Sequence, residues 1–200
     1  MNPRTVYIVD DDDAIRDALA WLFQSRGVAV FAWPSAEAFL DAWRPELQGC
    51  LLLDVRMGPM SGLQLFDRLQ ELGCRMPALF LTGHGDVPLA VTALKKGARD
   101  FIEKPFNDNE LVDRVIEAIE HAATLQASQA QEATVAHRLA ALSAREKEVM
   151  GLILAGKLNK LIADELDIAM RTVEVHRARI FEKMGVKSAV ELARLISGKL

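Results

Sequence analysis

Apolar and polar positions follow two different rhythms along this chain, and the change between them falls near residue 122. In the first part, short apolar runs near 4–9, 28–31, 49–53, 77–82 and 99–102 are bounded by Gly, Pro, Ser or Asp and read as strands. Between and after them, stretches near 13–26, 35–43, 61–73, 86–97 and 107–122 repeat their apolar residues at helical spacing. Five strands in strict alternation with five helices predict an open, parallel, doubly wound sheet, an α/β fold. The punctuation agrees: Gly27 ends the first helix, Pro34-Ser35 begins the second and Gly97 closes the fourth.

From 122 to 137 the chain reads AATLQASQAQEATVAH, without glycine or proline. Such a stretch favours helix by propensity but has little apolar periodicity, so a helical linker is expected over 122–138. After Leu142 the strand signal disappears. Ser143-Ala144-Arg145-Glu146 fits a capping box, and helix signals follow near 144–155, 159–166, 171–184 and 188–198. Gly156, the Ile168-Ala169-Met170 turn and Gly185 separate them. The expected organisation is an α/β domain over 1–121, the linker, and an all-α four-helix domain over 139–200.

No apolar run approaches the ~20 residues of a membrane span, and no signal-peptide pattern opens the chain. A cytoplasmic protein with no membrane partner is therefore expected. Cys50 and Cys74 lack metal-ligand spacing and read as reduced, buried residues. The formal net charge is −4. Residues 1–123 carry 12 Lys+Arg against 19 Asp+Glu, a net of −7, and residues 124–200 carry 12 against 9, a net of +3. An acidic half and a mildly basic half suggest separate jobs, the second involving nucleic acid.

The chemistry gathers at the strand ends. Val6-Tyr7-Ile8-Val9 runs into four aspartates, Asp10-Asp11-Asp12-Asp13; Leu51-Leu52-Leu53 runs into Asp54; Leu79-Phe80-Leu81 runs into Thr82; and Phe101-Ile102-Glu103 delivers Lys104-Pro105. In a parallel sheet the C-terminal strand ends open onto one edge, where ligands bind. Asp10, Asp11 and Asp54 together make a hard oxygen site suited to Mg²⁺ or Mn²⁺. Their mutual repulsion makes the site costly when it holds no cation. Asp54 suits a nucleophile toward phosphorus, Lys104 offsets charge on a phosphoryl group, and Thr82 is placed to bond a phosphoryl oxygen.

Val-Asp-Asp, Leu-Leu-Asp-Val-Arg-Met, Leu-Thr-Gly-His-Gly-Asp and Phe-Ile-Glu-Lys-Pro-Phe, in that order over residues 4–121, resemble the receiver domain of two-component response regulators, which is flavodoxin-like. The resemblance implies that Asp54 accepts phosphate from the histidine of a sensor kinase. It implies Mg²⁺ on Asp11, Asp54 and the backbone carbonyl of Arg56, with Asp10 assisting through water. It further implies Thr82 and Phe101 as a switch pair, Lys104 on the phosphoryl group, and a cis Lys104-Pro105 bond. Asp12 and Asp13 then cap the following helix. The fourth-helix face, with Val87, Val91, Leu94 and Lys95 as outward or boundary positions, becomes a surface for dimerisation; alternatively Val91 and Leu94 pack on the sheet. One departure stands out: the family's Met-Pro-x-Met-x-Gly reads Met57-Gly58-Pro59-Met60-Ser61-Gly62 here.

In the second domain, Asn159–Asp167 reads as a short amphipathic helix, followed by a tight turn and the helix near 171–184. That arrangement puts a second helix into the major groove of DNA. Val173, Ile180 and Met184 share an inward face; Thr172, Val175, His176 and Arg179 form an adjacent face that can reach bases and phosphates. Lys160 and Arg171 stand at helix starts, where phosphate contacts are common. Glu174 suits a cytosine amino group or a partner within the protein, Ala178 brings no charge, and Ala169-Met170 offer no side-chain cap. LSAREKEV, NKLIA and RTVEVH, spread over residues 139–198, resemble the LuxR-type helix-turn-helix.

A receiver joined to this domain identifies the chain as a member of the FixJ/NarL class of response regulators. The Gly83-His84-Gly85-Asp86 and RTVEVHR wording points to its FixJ-like branch. The implied function is a transcription regulator switched by phosphorylation, a homodimer on promoter DNA when phosphorylated, with RNA polymerase as a further partner. The alternative keeps the DNA-binding domain and makes the receiver a phosphorylation-independent interaction platform. An enzyme is not expected: phosphatases of the haloacid-dehalogenase type need a carboxylate two residues after the nucleophile, where Arg56 stands.

Overall fold

The computed structural model describes residues 4–83 and 87–198, apart from the side chains of Val87 and Ala90. His84, Gly85 and Asp86, which carry part of the FixJ-like wording, and the side chain of Val87 lie outside the described residues. The chain forms two compact units, Met1–Leu125 and Gln126–Leu200.

The first unit is a five-stranded parallel sheet of order β2-β1-β3-β4-β5. Its strands are β1 (Thr5–Val9), β2 (Ala29–Trp33), β3 (Cys50–Asp54), β4 (Ala78–Thr82) and β5 (Asp100–Glu103). β1, β3 and β4 are buried along their whole lengths, as both faces of a parallel sheet are when helices cover them. The alternation sorts their side chains. Tyr7, Val9, Leu51, Leu53, Ala78 and Phe80 enter one core cluster, and Val6, Ile8, Cys50, Leu52, Leu79 and Leu81 the other. Helices α2 (Ala36–Ala42), α3 (Gly62–Glu71) and α4 (Val87–Lys95) cover the first face through Phe39, Leu65, Phe66, Leu69 and Ala93. Helix α1 (Asp13–Ser25) and the first part of α5 (Asp108–Ala140) cover the second through Leu19, Phe23, Leu111, Val112 and Val115. α5 continues without a break through residues 122–138.

β2 runs two residues past its expected end. Trp33 extends it because its ring packs edge-on against Phe39 at 5.0 Å, giving the edge strand a partner from α2. On α4, Ala93 faces the sheet, whereas Val91 and Leu94 are about two-fifths exposed, so these two are outward positions. Both cysteines are free, Cys50 buried and Cys74 half-buried.

The second unit holds the end of α5 together with α6 (Ala144–Leu154), α7 (Asn159–Leu166), α8 (Met170–Met184) and α9 (Ala189–Ile196). Ser143 makes both bonds of the capping box with Glu146. Met170 already belongs to α8, so the turn is Asp167-Ile168-Ala169. Asp167 takes the left-handed conformation, φ 50°, that closes α7. Val173, Ile180 and Met184 are fully buried in this unit's single core.

Candidate functional site: an acidic pocket and a helix-turn-helix face

The aspartate run is divided among four tasks. Asp10 is buried and fixed at every polar atom. Its N–H donates to the Trp33 carbonyl (3.3 Å), and its carbonyl accepts from Arg16 Nη1 (2.6 Å). Oδ1 accepts from the Asp12 N–H (2.9 Å), and Oδ2 from Lys104 Nζ (2.9 Å). Asp12 is the N-cap of α1, accepting from the N–H groups of Ala14 and Ile15. Asp13 is the first residue of that helix and pairs with Arg16. Asp11 alone is exposed with a carboxylate bonded to no described residue.

Asp54 ends β3 and is 8% exposed. Its Oδ1 accepts from Lys104 Nζ at 2.7 Å, so one ammonium bridges Asp10 and Asp54. The repulsion expected between these carboxylates is thereby offset within the chain itself. Burial pushes the Asp54 carboxyl up from its ordinary value, and the nearby Asp10 charge adds to this; Lys104 and the Arg56 N–H oppose it. Burial alone would lower the Lys104 ammonium, but its bonds to Asp54 and Asp10 outweigh that and hold it charged. Lys104 reaches this position from a strand end anchored by its N–H to the Thr82 carbonyl (2.7 Å), followed by a cis Lys104–Pro105 bond.

Thr82 is buried at the end of β4, and its hydroxyl bonds to no described residue. Phe80 lies beside Phe101 in the β4–β5 register, so Thr82, two residues on, shares Phe101's face of the sheet. The Phe101 ring is half-buried against the core on that side.

The loop after Asp54 absorbs its displaced proline in an exposed segment. Met57 still enters the core, Gly58 and Pro59 are exposed, and Ser61 opens α3 with a full capping box to Gln64. Gly62 brings α3 hard against the strand: a Cβ there would lie 2.1 Å from the Asp54 carbonyl oxygen.

These donors suit a hard divalent ion in their chemistry, and the seat between Asp10 and Asp54 already takes a cation, the lysine's own. As the chain stands, no three carboxylate, imidazole or thiolate side chains among the described residues are gathered closely enough to hold a metal. Arg16 escaped the sequence reading. Its only signal was standing three residues after Asp13, which any surface arginine of a helix shares.

On α8, Arg171, Thr172, Val175 and Arg179 are exposed and His176 is half-buried; Lys160 is exposed on α7. Lys160, Arg171 and Arg179 form no ion pair with a described residue. Several other basic residues of this unit are engaged, whereas Lys147, Lys187 and Arg194 are exposed and form no ion pair with a described residue. Arg138 donates to the Met184 carbonyl (2.7 Å), Arg145 to the Leu166 carbonyl (2.6 Å), and Lys183 to Glu146 (2.7 Å). Lys157 pairs with Glu165, and the Arg177 guanidinium lies over the Phe181 ring. No side chain caps α8, whose N-terminus begins after Ala169.

Comparison with known proteins places both units. Residues 6–116 match the response regulator receiver domain, and residues 140–196 match the luxR family of bacterial regulatory proteins. The C4-dicarboxylate transport transcriptional regulatory protein DctR of Rhodobacter capsulatus is 55% identical over 194 residues, 96% of this chain and 98% of that protein. The transcriptional regulatory protein FixJ of Bradyrhizobium diazoefficiens is 46% identical over 95% of this chain and 93% of its own. Among solved structures, the response regulator StyR matches with a TM-score of 0.85 at 38% identity, covering 98% of this chain and 99% of that one. Full-length FixJ from B. japonicum matches with a TM-score of 0.66 at 44% identity over the whole of both chains. Among the described residues no helix is long and apolar enough to cross a membrane. With a receiver domain followed by a LuxR-type DNA-binding domain, the chain belongs to the FixJ/NarL class of response regulators, transcription regulators rather than enzymes.

Proposed function

We propose that Asp54 is the phosphoacceptor of this regulator and that residues 1–121 act as the receiver, 122–138 as a helical linker and 139–200 as the DNA-binding domain. The observation that carries this reading is the Lys104 ammonium held between Asp10 and Asp54, a cation already seated where a transferred phosphoryl group needs one. Asp11, Asp54 and the Arg56 backbone carbonyl are the candidate ligands of Mg²⁺ (or Mn²⁺), with Asp10 assisting through water. When bound, the ion offsets charge on the phosphoryl oxygens.

The chain's own residues do the rest. A carboxylate oxygen of Asp54 attacks the phosphorus of a phosphohistidine on the sensor kinase. The O–P bond forms as the N–P bond breaks, and the imidazole leaves with the electron pair and takes up a proton. Lys104 moves its contact from Asp10 to the new phosphoryl group. The Thr82 hydroxyl, bonded to no described residue, donates to a phosphoryl oxygen, and Phe101, on the same face, follows it inward. The exposed Val91 and Leu94 of α4 then become part of a homodimer surface. Two copies of α8 enter successive major-groove half-sites of promoter DNA. Thr172, Val175, His176 and Arg179 face the bases, and Lys160 and Arg171 face phosphates. RNA polymerase is the partner beyond DNA, and the protein works in the cytoplasm.

Incubation with acetyl phosphate and Mg²⁺ tests this reading by intact mass. The wild type gains one phosphoryl group and D54N gains none. A gain that survives in D54N overturns the assignment.

A further inference from the structure

Among the described residues one sealed side-chain nitrogen or oxygen lacks a hydrogen-bond partner: Nδ1 of His176, on α8. Buried polar atoms are nearly always paired, so an exception calls for a physical reason. The ring is not enclosed as a whole. His176 is half-buried, and its Nε2 is neither among the sealed unpartnered atoms nor bonded to any described residue. The ring therefore runs from the interior to the surface, Nδ1 inward and Nε2 outward. Its neighbours on the helix agree, since Val173 and Ile180 are fully buried while Thr172, Val175 and Arg179 are exposed.

A neutral imidazole has one N–H and one bare lone pair. A proton on Nδ1 would place a donor where nothing accepts it. A proton on Nε2 leaves only an acceptor without a partner, and on the backbone of folded proteins a buried orphaned N–H is rarer than an under-satisfied carbonyl. The tautomer of a histidine is set by what each ring nitrogen meets. We infer that His176 carries its proton on Nε2 and presents it outward as a fixed, one-way hydrogen-bond donor to an acceptor on DNA.

This rests on the reading of α8 as the DNA-facing helix and adds a selectivity to it. A donor with no acceptor beside it takes a phosphate oxygen, or O6 or N7 of a purine or O4 of thymine, and rejects the amino groups of cytosine and adenine. Where that acceptor is a base edge, His176 is a specificity-determining position, although it carries less exposed surface than its neighbours.

The first measurement uses the wild-type full-length chain. Long-range ¹H–¹⁵N spectra are recorded at pH about 8.5, roughly two units above the ordinary imidazole value. Nε2 is expected at the protonated-nitrogen shift and Nδ1 at the bare-nitrogen shift; the reverse pattern overturns the inference without any variant having to fold. Binding then compares His176→Gln, whose amide nitrogen stands where Nε2 does, with His176→Asn, whose amide nitrogen stands where Nδ1 does. The probes are a random-sequence duplex and a duplex selected by the wild type from a random library. His176→Gln is expected within about twofold of wild type, and His176→Asn about fivefold weaker, the worth of one hydrogen bond. Equal binding by the two variants overturns the donor assignment. A loss on both duplexes puts the acceptor on a phosphate, and a loss on the selected duplex alone puts it on a base edge. If the wild type enriches no duplex from the library and does not bind the random-sequence one, the DNA-facing reading of α8 fails and with it the DNA acceptor; the spectrum still decides the tautomer separately.

Discussion

In the acidic pocket one ammonium answers two carboxylates, so Lys104 sets the charge balance of the site before any phosphate arrives. Removing it leaves Asp10 and Asp54 facing each other without a cation. Lys104→Met is therefore expected to lower receiver stability by ~1–3 kcal/mol in EDTA, less than for a fully buried pair because Lys104 is partly exposed. Millimolar Mg²⁺ is expected to restore much of that loss. Melting curves with and without the ion check it, and a melting point unchanged in EDTA would show that Lys104 is not the pocket's counter-ion. Gly62 is a second single-residue dependence of a different kind. A methyl group there meets the Asp54 carbonyl oxygen at 2.1 Å, a backbone atom with nowhere to retreat. Gly62→Ala is expected to cost ~1–3 kcal/mol through overpacking and to slow phosphoryl uptake by displacing the strand end that holds Asp54. Uptake from acetyl phosphate at wild-type rate would exclude that coupling.

At the scale of elements, α8 is tied at its C-terminal end to residues from earlier in its own unit. Arg138 bonds the Met184 carbonyl, and Lys183 bonds both the Ala141 carbonyl and the buried Glu146 carboxylate. The bond from Lys183, helped by the Ser143 N–H, lowers the Glu146 carboxyl from 4.5 to about 2. A carboxyl lowered in the folded state contributes stability that is fully present above its unfolded value. That contribution is lost as pH falls from about 4.5 through about 2. Glu146→Gln is expected to flatten the acid-unfolding profile in that window. Circular dichroism against pH measures it, and a profile parallel to wild type would dismiss the role. These contacts also mark the limit of what the sequence reveals. Strands such as Cys50–Asp54 and helices such as α6 were legible because bounded apolar runs and the Ser143–Glu146 capping box are local patterns. The aspartates, Thr82 and Lys104 could be sent to one sheet edge by topology alone. That Lys104 bridges Asp10 and Asp54, that Arg16 bonds the Asp10 carbonyl and that Arg138 reaches Met184 were not legible. Each joins residues brought together by tertiary folding, or chooses one partner among several equally near in the sequence.

The whole molecule divides its charge, −7 over residues 1–123 and +3 over 124–200, so attraction to DNA has to come from a few placed cations rather than from net charge. Lys160, Arg171 and Arg179 are exposed and unpaired among the described residues, whereas Arg138, Arg145, Lys157 and Lys183 are engaged within the domain. Each phosphate neutralised on duplex DNA contributes about −0.9 to the slope of log K against log salt. If the three free cations on α7 and α8 are the ones that meet phosphates, the slope is about −3 for one copy, and two copies on adjacent half-sites give about −5. The slope thus counts copies on the DNA without needing the operator in advance. With D54N, or with wild type lacking a phosphate mimic, the slope should stay near the one-copy value. With Mg²⁺ and beryllofluoride the wild type should move to the two-copy value, and sedimentation of the free protein should show the mass doubling beside it. A slope that steepens while the mass does not would place dimerisation on the DNA itself. A slope and a mass that both ignore the phosphate mimic would instead favour a receiver that serves as a fixed platform.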